Sequence, residues 1–405
     1  MASLPKLRPV DVRPFVYEGR QSLLLRDPLK LSERVVVLPQ WLAPLLALCD
    51  GSRDAAALSA AAALRYGLPL SSSTVNRVLQ ALDEAVLLDN EHFAQEHARV
   101  GQIYRTAPHR PPSLAGSSYP ADPDELHAML RGYLDGVEPD EGAPDGRDGS
   151  RGLVSPHIDY ERGGPVYARV WQQAAEAVKS ADLAILFGTD HFGGAGLNLT
   201  RQNYATPFGV LPTAGDIVDE MAEAIGPEAA YQGELRHRGE HSIELAAVWL
   251  HTMRDGRPVE LVPILCGPFA RYIQDGVAPE DDRALSEVID ILRRRLAGRR
   301  AVVVAAGDLA HVGPAFGGDP LEANGRARLK SADDELIDRM MAGDAAGFLA
   351  AIKRVQDSNN VCGVSPIYLT LRLLDPAQGE PAGYDMCPAD GDGTSVVSVC
   401  GVIFH

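Results

Sequence analysis

Three short apolar runs in this chain each end in a histidine and an aspartate, and that repetition limits what the chain can fold into. "GLVSP" is followed by His157 and Asp159, "LAILFGT" by Asp190 and His191, and "AVVVAAG" by Asp308 and His311. Runs that are nearly all apolar and bounded by turn residues read as strands buried on both faces. Helical patterns alternate with them, among them "GPVYARVWQQAAEAVKS", "SIELAAVWLHTM" and "ALSEVIDILRRRLAG". "VELVPILCG" and the closing "SVVSVCGVIFH" read as further strands. The alternation predicts an α/β domain whose central sheet is mostly parallel and flanked by helices.

In open sheets of that class, ligands bind beyond the carboxyl ends of the strands. One His/Asp pair at a loop start is an ordinary structural feature. Three on one sheet edge point to a site. Imidazoles with carboxylates suit zinc, iron, copper or nickel, and they also suit acid–base work without a metal. Cys266 follows "LVPIL" at the same edge. No "HExxH", Walker loop or "GxSxG" occurs, and the glycines of "GTDHFGGAG" lack the spacing of a dinucleotide loop.

Two other places carry candidate residues. Glu240 and His241, in "GEHSIE", stand at a predicted helix start, where an acid favours the positive end of the helix. Cys362 lies in "NNVCGVSP". A lone cysteine is ordinarily a small buried residue, but a thiol near a helix start is made more acidic and can bind metal.

The length of 405 residues predicts two domains. Hydrophobic and charged contents of 45% and 23% are those of a globular chain, and five scattered cysteines form no disulfide framework. A net charge of −17 argues against nucleic acid or an anionic membrane as partner. No apolar run reaches membrane-spanning length, and "MASLPKLRPVDVRPF" lacks a signal-peptide core, so a cytoplasmic location is expected.

Residues 1–97 read as a small winged-helix-like α+β domain. "SLLLRDPLKLSERVVVLPQW" suggests short strands. Three helices follow: one stopping at Gly51, one with Ser52 as N-cap and Gly67 at its end, and one in "SSSTVNRVLQALDEAVLLD". With no ligand cluster, this part is expected to bind and not to catalyse. "LALCDGSRDAAALSAAAALRYG" and "VLQALDEAVLLD" resemble the PqqD-like family, which implies recognition of a peptide or a partner enzyme. Residues 98–113, with Pro108, Pro111 and Pro112, are predicted as a linker, and 135–152 as an acidic surface loop.

Residues 114–405 resemble the Memo family, found also as the B component of the AmmeMemoRadiSam system. The pieces that carry the resemblance are "AGSSYP", "SPHIDY", "FGTDHFG", "TPFGVLPT", "EHSIE", "LVPILCG", "GDLAHVG", "NVCGVSPI" and "SVVSVCGVIFH". It implies a fold similar to class III extradiol dioxygenases, with His157 and His191 as metal ligands and Cys362 replacing the dioxygenase carboxylate. His311 then falls on the acid–base histidine, and Asp308, three residues before it, is expected to orient it. Asp159, Asp190, Glu240 and His241 are expected to line the pocket; either aspartate could fix a histidine tautomer or add a ligand, or instead Asp159 could cap the following segment and Asp190 turn the loop.

A soft thiolate in place of a hard carboxylate favours copper, zinc or a differently tuned iron, so iron or copper is expected, with zinc as a further candidate. A radical-SAM enzyme is the partner the resemblance implies. A non-catalytic metal- or peptide-binding scaffold is an alternative, and so is metal-assisted hydrolysis with His311 or Asp159 as base. The chain departs from the family at "PHIDY", where "PHAGY" is usual, and at Asp190, where Ser or Asn is common.

Overall fold

The computed structural model describes residues 4–137, 149–194 and 196–405, so most of the expected acidic loop lies outside the described residues. The chain divides into two compact units, Met1–Thr106 and Ala107–His405.

The first unit opens with an antiparallel sheet of β1 (Asp11–Tyr17), β2 (Arg20–Arg26) and β3 (Val36–Pro39), in the order β1-β2-β3. Four helices follow: α1 (Ala43–Leu48), α2 (Ala55–Tyr66), α3 (Ser72–Glu84) and α4 (Glu91–Thr106). Their apolar residues close one core around Leu25, Leu45, Leu58, Val75 and Leu82. Gly67 ends α2 in the left-handed region at φ 64°, which glycine adopts without steric cost. The α2 cap is Asp54, whose carboxylate accepts from Ala57 N–H; Ser52 is turned back onto Asp50 instead.

Residues 98–106, expected in a linker, are the second half of α4, whose buried positions Val100 and Tyr104 keep helical spacing beyond the expected end. Residues 107–113 belong to the second unit, where Arg110 is fully buried.

The second unit continues with α5 (Pro123–Asp135), β4 (Gly152–Ser155), α6 (Tyr160–Gln173), α7 (Ala175–Ser180) and β5 (Leu183–Thr189). Then come β6 (Leu197–Leu199), β7 (Tyr204–Thr206), β8 (Gly209–Leu211), α8 (Gly215–Ile225), α9 (Pro227–Tyr231), α10 (Ser242–Met253) and β9 (Glu260–Cys266). The last stretch holds α11 (Ala270–Gln274), α12 (Arg283–Leu296), β10 (Ala301–Ala306), β11 (His311–Val312), α13 (Ala323–Met341), α14 (Ala345–Arg354), α15 (Val364–Leu374), β12 (Gly379–Pro388) and β13 (Val396–Phe404).

The main sheet runs β11-β13-β4-β10-β5-β9-β6, with β12 on β13. It is mixed, and this corrects the expectation of a mostly parallel sheet. Only β4, β10, β5 and β9 run parallel. β13 joins β4 antiparallel, β11 and β12 join β13, and β6 closes the far side against β9. The central strands are linked through helices, as parallel pairing requires, whereas β12 and β13 form a hairpin that can only pair antiparallel.

Alternate residues of the central strands enter opposite layers, as the two-residue period of a strand demands. Ile185 and Phe187 pack with Ile217, Leu292 and Leu371 on one face. Ala184 and Leu186 pack with Val170, Trp171, Ala246 and Trp249 on the other. Helices therefore cover both faces of the sheet. No helix among the described residues is long and apolar enough to cross a membrane.

Candidate metal centre

Three neighbours in the sheet, β4, β10 and β5, end level with one another: Ala306 pairs with Ser155 on one side and Gly188 on the other. The chain segments leaving them carry His157, Asp308 and His191, so sheet register alone brings these side chains to one place. Ser242, the first residue of α10, donates its hydroxyl to Thr189 O at 2.9 Å and pins the start of that helix, with Glu240 and His241, beside them. Cys362 arrives just before α15, where Thr189 Oγ1 donates to Cys362 O at 3.0 Å and Gly363 N–H donates to Asp308 O at 2.9 Å. That approach needs two glycines. A Cβ on Gly307 would lie 2.7 Å from Gly363 Cα, and one on Gly363 would lie 2.5 Å from Asp308 O.

Among the described residues, two sets of donor atoms come within 4.8 Å of one another: His157, His191 and His241, and His157, Asp308 and Cys362. His157 belongs to both. Its Nδ1 is 3.0 Å from Ala306 O and its Nε2 is 3.1 Å from Cys362 Sγ. A carbonyl can only accept, so Nδ1 carries the hydrogen and Nε2 is the donor atom toward an ion. The ring is buried, and burial above all pushes its pKa down to about 3, which keeps it neutral.

Glu240 organises the other two rings. His191 Nδ1 lies 2.9 Å and His241 Nδ1 3.1 Å from its Oε1. The same carboxylate accepts from the backbone N–H groups of His191, His241 and Ser242. It thus caps α10 and fixes two histidines at once. Burial would raise the Glu240 pKa, but its hydrogen bonds from His191 and His241 outweigh that and hold it well below the usual carboxylate range. Burial works against charge on His241, yet the Glu240 hydrogen bond and charge prevail and raise its pKa. The His191 and His241 rings stack at 4.5 Å between centroids.

The remaining candidates take different positions. Asp308 Oδ1 accepts from the backbone N–H of His157 at 2.7 Å and of Ile158 at 3.3 Å, while its Oδ2 is 3.7 Å from His157 Nε2. Its hydrogen bonds hold the His157 backbone, where it was expected to orient His311. His311 Nδ1 lies 3.3 Å from Leu309 O, and its ring stands edge-on to Phe316. Burial lowers the His311 pKa. Asp159 is the N-cap of α6 and an ion-pair partner of Arg162, outside both donor groups. Asp190 is turned away toward Arg236, Asn198 and the Phe192 N–H. Cys266 is fully buried at the end of β9, also outside both groups.

The Memo family model, described as a Memo-like protein, matches residues 110–403. The chain belongs to this family. Relatives agree over most of the same region. A MEMO1 family protein of Aquifex aeolicus is 26% identical over 318 residues, covering 78% of this chain and 77% of that protein. One of Methanopyrus kandleri is 28% identical over 307 residues, covering 73% of this chain and 99% of that protein. One of Thermococcus kodakarensis is 30% identical over 263 residues, 63% of this chain and 83% of its own length.

The Memo-like match begins at Arg110, a residue whose proline-rich surroundings suggest a linker. Arg110 pairs with Glu244 of α10 at 2.6 Å, both fully buried. Glu244 also accepts from Ser113 N–H, Leu114 N–H and Tyr119 OH, and so straps the start of the domain onto the helix that Glu240 and His241 lead into. The signal for Glu244 is present in "EHSIE", where it stands one helical turn after Glu240. Nothing local marks Arg110 as its partner.

Proposed function

We propose that the Memo-like domain is a redox enzyme that uses one transition metal, iron or copper. His157, His191 and Cys362 would hold the ion, and His241 lies close enough to replace or complete that set. The observation that carries the reading is the shared vertex: the Nε2 of His157 faces a thiol at 3.1 Å and two further imidazoles within 4.8 Å. His191 and Cys362 fall in separate donor groups that meet at His157, and the donors of the two groups together suit such an ion. Each ring is anchored through Nδ1, which leaves Nε2 for coordination, and imidazole with sulfur suits copper, zinc or iron.

A bound ion of this kind would supply a one-electron change and a Lewis acid. The chain's own part is to hold and to move protons. Glu240 fixes the tautomer of His191 and His241, and Asp308 holds the turn that presents His157. His311, outside both donor sets and held neutral by burial, would take a proton from the substrate or return one.

The N-terminal unit would then deliver the substrate or partner. β3 is an edge strand, and a groove of about 530 Å³ runs between it and α3, lined by Arg34 to Leu38, Thr74, Arg77 and Val78. Val35 and Val37 are exposed there, at 49% and 40%. Such an edge suits an extended peptide that adds a strand, in keeping with the PqqD-like resemblance and a radical-SAM partner.

Anaerobic purification followed by metal analysis and a redox titration tests the first part. The expected result is near-stoichiometric iron or copper whose spectrum changes on reduction. A full-length protein that cannot be loaded with either metal would sink it. For the N-terminal unit, Val37→Asp in the full chain is expected to abolish co-purification with a radical-SAM enzyme; undiminished binding counts against that role.

A further inference from the structure

One buried pair beside the histidines, Arg110 and Glu244, plays no part in the metal reading. Arg110 is fully buried, and its guanidinium reaches further than its ion pair. Nε donates to His237 O at 2.5 Å, and Nη2 donates to Glu240 O at 2.9 Å and to Ser113 Oγ at 3.3 Å. Two of these acceptors are backbone carbonyls on the turn that leads into α10. One belongs to Glu240 itself, the residue whose carboxylate holds both His191 and His241. Glu244, one turn further on in α10, pairs with that same Nη2 at 2.6 Å, while Nη1 donates to Pro111 O at 3.1 Å.

Resting on the metal-site reading above, we infer that Arg110 is a positioning residue for His191 and His241, acting through the main chain of Glu240. A buried ion pair is seldom a net source of stability, since desolvation of both charges offsets their attraction. What Arg110 contributes here is direction. Its planar fork fixes three carbonyls and one carboxylate in a set geometry that a lysine, a point charge on a flexible stem, cannot reproduce. If the Glu240 backbone moves, its carboxylate moves, and the two rings lose the hydrogen bonds that aim their Nε2 atoms. His157 has an anchor of its own, because its Nδ1 is held by Ala306 O, and it meets the other two rings only edge-on, at 4.9 and 5.3 Å between centroids. The effect should therefore fall mainly on two histidines and least on the third.

The test uses full-length protein, cobalt(II) as the probe, and Arg110→Lys beside the neutral double variant Arg110→Met/Glu244→Gln, which leaves no unpaired buried charge if the single variant fails to fold. Cobalt affinity is expected to fall by at least about tenfold, the usual effect of losing a residue that orients a ligand, with an altered ligand-field spectrum. In metal-free protein, the ring-nitrogen NMR signals of His191 and His241 are expected to shift clearly more than those of His157, whose Nδ1 keeps its own acceptor. Unchanged signals for His191 and His241 in a folded variant would overturn the inference, as would unchanged cobalt affinity and spectrum. A wild type that takes up no cobalt would count against the metal reading alone, since the NMR result still decides the role of Arg110.

Discussion

The Nε2 of His157 lies 3.1 Å from the Sγ of Cys362, and His157 is the one residue common to both donor groups. Its loss should therefore remove whichever group holds the ion. His157→Ala is expected to weaken iron or copper binding by more than about 100-fold, beyond the range set by outer partners. Cys362→Ser leaves three imidazoles in place, so it should keep a weaker site and lose any sulfur-to-metal charge-transfer band. Metal analysis and absorption spectra of the two variants check this. A Cys362→Ser protein with an unchanged spectrum would show that sulfur is no ligand.

Glu240 offers a separate handle. Its Oε1 serves both His191 and His241, and a neutral amide has only one oxygen to offer where the carboxylate has two. Glu240→Gln is expected to lower metal affinity by about 10- to 100-fold. Removing an acid from the start of α10 should also cost about 1 kcal/mol of stability. Chelator competition measures the first effect and thermal melting of metal-free protein the second. Equal affinity would mean that the two rings need no common anchor.

These contacts divide the site by how local their signals are. His157, Asp308 and His191 were legible because each follows its own apolar strand, and strand register then brings the three together. The capping acid Glu240 was legible as a cap, and its bonds to two imidazoles were not, since they close across the space between β5 and α10. Arg110 lies 134 positions before Glu244 in sequence (244 − 110), and the adjacent Pro111 and Pro112 pointed to a loose linker. The same limit applies to the sheet. Burial on both faces identified the central strands, but β13 on β4 is a long-range pairing that no local pattern encodes.

His311 separates ligand from proton carrier. It belongs to neither donor group, and burial keeps its imidazole neutral at ordinary pH. His311→Ala is expected to bind iron or copper within about twofold of wild type, because independent sites do not share their effects. Its turnover of a substrate identified for the wild type should fall by about 100-fold or more, the contribution typical of a general acid or base. A large loss of metal instead would place His311 among the ligands.

Asp333 of α13 supplies a pH test outside the metal centre. It is fully buried, receives the Tyr384 hydroxyl at 2.8 Å, and burial pushes its pKa from 3.8 to about 6. Between those values the folded protein binds the proton more tightly than the unfolded chain does. This group's contribution is therefore favourable at low pH, and it declines as pH rises from about 4 through about 6. Above that the buried carboxylate is charged, at a cost of up to about 3 kcal/mol, because each tenfold change in proton affinity is worth about 1.4 kcal/mol. Asp333→Asn removes the titration and keeps an oxygen for Tyr384. The variant is expected to melt near the wild-type temperature at pH 4.5 and several degrees above it at pH 7.5, read by thermal denaturation in low-salt buffers. A difference that stays constant across that range would mean Asp333 is ionised at no cost, with a partner that offsets its burial.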